Sequence, residues 1–418
     1  MKKLIAPLLL LCLLATAAWT APARQTDQQE LFREIEEILA DLSKITGLKP
    51  LKAVRHSLIG RHQVKQFLEQ RIKEEVKPDE LRAEELTLKK FGFLPPEYDL
   101  KQATIELLTE QAAAFYDFRK KQLYVLDSNP SSVQQVALVH ELAHALADQH
   151  FNLDKYIERA KQSDDGAMAR MAVMEGQATW LMSEYMARRM GMSLKTSPSI
   201  IQVMAGQAGL SAGQFPVFDK APLYLRETLL FPYTQGMLFQ HAVFDKEGQA
   251  AFSSVFTRPP ASTQQIRHPE KYFAGEKPAD PPLAILATQG EYRTLAEGTV
   301  GELDHSILLR QYVDQPTAEL MAPRSRGGNY RLLEHKKDGR TVLSYATEWA
   351  DAAAAKEFFG LYRKVLRGKW KNMEVTSETD TRLAGRGDDG YFIVRLESAR
   401  VTSLEGLKSP LEARESLR

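Results

Sequence analysis

The stretch Val136–Phe151, VALVHELAHALADQHF, constrains this chain more than any other. It is an almost unbroken run of Ala, Leu and Val that holds His140, Glu141 and His144 in the pattern H-E-x-x-H. Residues four apart on a helix stack on one face, so both imidazoles can reach a single metal ion. Glu141 lies about 100° round the helix from His140, near enough to hold a water molecule without being a ligand. The apolar residues on the rest of the wheel call for a helix buried on most sides. Two His and a Glu are costly in such surroundings unless paired or bound to metal. One zinc ion per chain meets that need.

Two residues compete to be the third ligand. His150 follows His140 by ten positions, the spacing of the metzincin pattern H-E-x-x-H-x-x-G-x-x-H. That pattern needs a Gly where this chain has Ala147, and Ala favours continuing the helix. No persuasive Met-turn follows. The rival, Glu175, sits within MAVMEGQATWL on the apolar side of a helix expected over Ala167–Arg189. A carboxylate among Met, Val, Ala and Trp needs a partner, and a two-His, one-Glu set leaves the fourth position open, as a catalytic zinc requires. Glu175 is the preferred ligand. Gly176 beside it lets another backbone approach closely. For His150 the structural alternative is a residue at a helix C-terminus, where partial positive charge is favourable.

The rest of the chain supplies the setting. At 418 residues it calls for two or three domains. Lys plus Arg at 55 against Asp plus Glu at 54 leaves no net field to recruit nucleic acid or an anionic membrane. Residues 1–23 read as a signal peptide: Lys2 and Lys3, an apolar core from Leu4 to Leu14, then small residues, with cleavage after Ala23 or near Ala17 or Ala18. The apolar run is short for a bilayer span. Cys12, the single cysteine, would leave with this leader, and no second segment is apolar enough to span a membrane. The mature chain is therefore expected to be exported, periplasmic or extracellular, without disulfides or a stable membrane span.

Residues 24–111 form a charge-dense helical region: a capping box at Thr26 and Gln29, an apolar stripe from Leu31 to Leu42, a helix over His62–Val76, and one from Pro78 to Gly92. It serves either as a helical subdomain or as a pro-segment. Residues 112–282 carry the motif. Ala112–Asp127 reads as a hairpin about the turn Phe118–Lys121, a strand suited to binding an extended peptide by edge pairing. Ser131 and Ser132 offer caps for the motif helix. Further helices are expected over Ser199–Leu210, Pro222–Leu230 and Thr234–Phe244. Gly275–Pro282 is a linker candidate, and residues 283–418 read as a small C-terminal α+β domain. There Asp338-Gly339 marks a hairpin, Asp351 caps a helix that Gly368 ends, and strands fall at Met373–Thr376 and Tyr391–Glu397.

HELAH followed by an E-G-x-A helix resembles the gluzincin clan of zinc metallopeptidases, to which thermolysin belongs, over about Ala112 to Leu181. The resemblance implies an α+β protein: a mostly helical zincin-like catalytic domain with a short hairpin or small sheet, followed by the C-terminal domain. It implies His140, His144 and Glu175 as zinc ligands, Glu141 as general base, and a peptide or protein substrate. The clan carries an Asp four residues after its Glu ligand, where this chain has Thr179. Thr179 and Asp148 are the candidates to orient a ligand imidazole. A tetrahedral oxyanion also needs a donor; Tyr233 and His268 lead as catalytic candidates, ahead of His241, Tyr116 and Arg226. No aminopeptidase-type G-x-M-E-N segment precedes the motif, which favours an endopeptidase. The other function class is a non-catalytic binding or scaffold protein on a peptidase-like fold. A narrower form of the enzyme reading has the C-terminal domain recognise one partner protein for processing.

Overall fold

The computed structural model describes residues 28–111, 114–126, 131–160, 163–196, 201–203, 215–286 and 288–409. The expected leader, the expected Thr26 cap and most of the helix expected at Ser199–Leu210 lie outside them. The fold is α+β. Its first half runs α1 Gln28–Thr46, β1 Arg55–Ile59, α2 Arg61–Glu75, α3 Pro78–Phe91, α4 Leu100–Gln111, β2 Ala114–Asp117 and β3 Gln122–Leu126. Next come α5 Ser131–Phe151, α6 Leu153–Glu158, α7 Asp164–Arg189, α8 Pro216–Lys220, α9 Leu223–Glu247, α10 Ala251–Thr257, α11 Thr263–Arg267 and α12 Pro269–Ala274.

The motif helix α5 lies on a three-stranded sheet of order β1-β3-β2 and is flanked by α7, which α9 crosses. The hairpin β2–β3 turns where expected because Asp117 Oδ1 accepts from the backbone N–H groups of Arg119 and Lys120, each at 3.0 Å. The sheet has one more strand than the sequence suggests: β1 pairs in parallel with β3, Arg55 opposite Gln122. Ile38, Leu42 and Ile45 of α1 are fully buried, and α1 packs on α5 and α7. That apolar stripe makes α1 part of the core.

Two helix boundaries differ from expectation. Helix α7 starts at Asp164, with the Ser163 hydroxyl accepting from the Gly166 N–H at 3.0 Å. The two helices expected about Pro222–Leu230 and Thr234–Phe244 are one, α9, which runs through Pro232. An interior Pro costs about 3 kcal/mol; burial of most of α9 against α7 and its neighbours offsets it. The crossing is close: a Cβ on Gly236 would stand 2.1 Å from the Ala172 carbonyl oxygen.

The C-terminal part runs β4 Tyr292–Val300, α13 Glu302–Tyr312, α14 Gln315–Met321, β5 Ser325–His335, β6 Thr341–Trp349, α15 Ala352–Lys369, β7 Glu374–Glu378, β8 Arg382–Gly387, β9 Gly390–Glu397 and β10 Arg400–Leu407. Its seven strands form an antiparallel sheet of order β4-β5-β6-β10-β9-β8-β7, with α15 across one face. Asp351 caps α15, accepting from the Ala354 N–H at 2.7 Å. Gly368 does not end that helix. A Cβ there would meet the Tyr312 ring at 2.5 Å, so this Gly provides clearance rather than a stop.

The sheet shares a core with the helical part. Phe91 of α3 stands edge-on to Tyr330 and Tyr345, with centroids 5.7 and 5.4 Å away. At the start of α7, Asp164 accepts from the Tyr330 hydroxyl at 2.8 Å and Asp165 from the Thr263 hydroxyl at 2.6 Å. The segment about Gly275–Pro282 is coil, pinned by a bond from the Ala279 N–H to the Arg326 carbonyl at 2.7 Å. Among the described residues no helix is long and apolar enough to cross a membrane.

Candidate metal centre

Helix α5 is buried along its middle because Ala137, Leu138, Val139, Leu142, Ala145 and Leu146 fill the space between sheet and helices. His140 and His144, one turn apart, turn their Nε2 atoms toward one another at 3.0 Å. From α7, Glu175 sets Oε2 at 3.1 Å from the first and 3.2 Å from the second. All three side chains are at most 2 % exposed. Glu175 reaches this point because Gly176, the next residue, lies against Gly236 of α9: a Cβ on Gly176 would be 2.1 Å from the Gly236 carbonyl carbon.

This donor set fits a metal ion. Two imidazole nitrogens facing at 3.0 Å cannot both carry hydrogen, so at least one lone pair points into the triangle. A tetrahedral zinc with bonds of about 2.0–2.2 Å holds its ligand atoms about 3.3 Å apart, close to the 3.0–3.2 Å sides observed. The second oxygen of Glu175, buried, has no hydrogen-bond partner among the described residues. Glu141 also lies near: with His140 and His144 it forms a group whose potential ligand atoms are within 4.8 Å of one another. Its Oε2 accepts from the Tyr116 backbone N–H at 2.6 Å, which ties it to β2.

The charges are arranged to suit a cation. Burial raises the Glu175 carboxyl, but both imidazoles more than reverse this and bring it down to about 2. Burial pulls His140 down, with His144 adding to the effect. Burial pulls His144 down as well, but Glu175, Glu141 and Asp148 outweigh it, so His144 ends above the usual value. The two touching imidazoles are thus shifted in opposite directions, His140 down and His144 up, beside a carboxylate held low.

The other expected site residues divide. Tyr233 of α9 joins the centre, its ring stacked on His140 at 6.0 Å and 29°. His268 sits at the corner between α11 and α12, with Nε2 3.0 Å from Glu302 and Nδ1 3.7 Å from Glu270. His241 accepts at Nδ1 from the Trp180 indole at 3.3 Å, and its Nε2 lies 3.3 Å from Asp245. Asp148 accepts from the Tyr116 hydroxyl at 3.0 Å, from Lys121 at 2.8 Å and from the Leu153 N–H at 2.9 Å. It reaches His144 as charge, while it hydrogen-bonds the hairpin and α6. The Thr179 hydroxyl is buried and has no hydrogen-bond partner among the described residues. His150 bonds the Lys49 carbonyl at 2.9 Å, and α5 passes through Ala147 without turning back. The residue that sequence reasoning undervalued is Tyr116, which holds Glu141 by a backbone donor and Asp148 by its hydroxyl. Only its place in the strand before the motif could have signalled this.

A family described as a domain of unknown function, DUF8575, matches residues 291–415, the C-terminal sheet, and leaves the centre outside. No curated protein matches the chain. A crystal structure of a protein from Chloroflexus aurantiacus, described as a candidate hydrolase with a novel fold, is similar at 17% identity over 60% of this chain and 92% of that one. Its TM-score is 0.35, too slight a likeness to carry an argument.

Proposed function

We propose that this protein is an exported zinc-dependent peptidase, acting as an endopeptidase on peptide or protein substrates. One observation carries the reading: three buried donors from α5 and α7 converge within 3.2 Å of one another, with an anchored carboxylate one residue from the first. His140, His144 and Glu175 would hold the ion. When bound, zinc polarises a carbonyl and acidifies water. Glu141 is the general base: the Tyr116 N–H anchors its carboxylate one residue from His140, where it would take a proton from the attacking water and pass it to the leaving amine. Tyr233, packed on His140, is the donor for the developing oxyanion, a role for which it is better placed than His268 or His241. The edge of β2 beside Glu141 supports alignment of an extended peptide. The leader-like residues 1–23 support export to the periplasm or beyond.

Near-complete burial of the four residues favours a second reading, a closed structural metal site on a scaffold, with Glu141 as fourth ligand. Metal analysis and peptide-library cleavage on wild type and Glu141→Gln separate the two. The peptidase reading expects one zinc per chain in both proteins and cleavage by wild type alone. Zinc lost from Glu141→Gln, with no cleavage by the zinc-loaded wild type, would establish the scaffold.

A further inference from the structure

We infer that the groove beside the C-terminal end of α5 is a docking site for an acidic segment of the substrate polypeptide, an inference that rests on the peptidase reading. The groove encloses about 550 Å³ between α5, the hairpin and the residues leading into β1. Leu51, Ala53 and Val54 give it an apolar side; Lys52 and Arg55 give it positive charge beyond the Lys121–Asp148 ion pair. Its one lining carboxylate, Asp148, is 4 % exposed and already takes Lys121 and the Tyr116 hydroxyl. Asp117 beneath the hairpin is likewise buried and paired with Arg71 at 2.6 Å. Outside the groove's lining, the hairpin tip carries Arg119 and Lys120, both exposed; Arg119 faces Asp154 at 3.3 Å, and Lys120 lies over the Phe67 ring. The side chain of Arg55 is held by the Lys120 carbonyl. The result is a locally cationic surface on a chain whose net charge is only +1.

Its position relative to the centre makes it a substrate site. Tyr116 is a wall of the groove, and its N–H holds Glu141. From Glu141 to Asp148 the helix rises about 10 Å, the length of about three residues of extended chain. A polypeptide with its scissile bond at Glu141 and running along α5 would place a side chain about three residues away beside Lys52 and Arg55. A concave site with an apolar side fits an extended acidic segment that also carries an aliphatic residue; a flat anionic lipid surface does not enter it.

The test uses the full chain carrying Glu141→Gln, so that binding is read without turnover. Fluorescence anisotropy compares labelled peptides that differ only in Glu, Gln or Lys at the flanking positions. The Glu peptide should bind about tenfold more tightly than the Gln peptide at low ionic strength, with the gap closing at high salt. Lys52→Glu with Arg55→Glu, two exposed lining positions, should abolish the preference without changing the circular dichroism spectrum or the binding of the Gln peptide. Equal binding of all three peptides overturns the inference, and so does binding to phosphatidylserine vesicles in the absence of any peptide preference. Cleavage by wild type without charge preference sinks the groove alone. Charge-selective binding with no cleavage by wild type leaves the groove and removes the peptidase.

Discussion

Gly176→Ala tests how α7 delivers Glu175 to the centre. The added Cβ would stand 2.1 Å from the Gly236 carbonyl carbon and 2.3 Å from its oxygen. Both are backbone atoms of a packed helix, so no rotamer change relieves the overlap. Ordinary contact begins at 3.4 Å, so α7 and α9 must part by about 1 Å at the crossing. Overpacking costs about 1–3 kcal/mol, and rigid backbone on one side puts this case near the top of that range. Ala is the better helix former and returns up to about 1 kcal/mol. The expected net loss is about 2 kcal/mol. Gly360→Ala in α15 is the control: its Cβ meets nothing within 4 Å, so it should gain up to about 1 kcal/mol. In urea denaturation the two midpoints should move in opposite directions with unchanged slope. Metal binding at the proposed centre should weaken in the first variant only, because ligand positions must hold to within about 0.2 Å and Glu175 adjoins the crossing. A Gly176→Ala protein as stable and as tightly zinc-bound as wild type would falsify the close crossing as the device that positions Glu175.

Glu175→Ala should lose the metal in equilibrium dialysis, while His150→Ala keeps it; the reverse pattern would restore His150 as third ligand. His305, fully buried against Tyr345 at 2.6 Å and Ser325 at 2.9 Å, is pushed by burial from the usual 6.5 to about 4. Its folded value is the lower one, so as pH falls from about 6.5 to about 4 the unfolded chain takes up a proton that the folded chain refuses. Stability should drop by about 3 kcal/mol over that window, and His305→Gln should flatten the slope measured by denaturation at each pH. Lys369→Met strands Glu405, a buried partner that also takes the Tyr362 hydroxyl, and should cost about 3–5 kcal/mol in chemical denaturation. Adding Glu405→Gln should recover part of that loss; no recovery would show that the ion pair is not what Lys369 contributes.

What the sequence reveals and what it conceals follow from which atoms make each contact. The hairpin at Phe118–Lys121, the Asp351 cap and the α5 helix were legible because side chains within a few residues specify them. Pro232 and Gly368 misled because each is a strong local signal overruled by a distant partner, α7 in one case and Tyr312 in the other. Strand β1 escaped notice since RHSLI is short and its partner, β3, comes more than sixty residues later. The same division runs through the centre. His140 and His144 show themselves by a spacing of four, and Glu175 by a charge placed where charge is expensive. The tether that places Glu141 shows itself only in the position of Tyr116 in the strand before the motif, because the donor is a backbone N–H that any residue except proline carries. The residues proposed as ligands are thus encoded as side chains on two helices, whereas the position of the proposed base, Glu141, depends on the register of a strand.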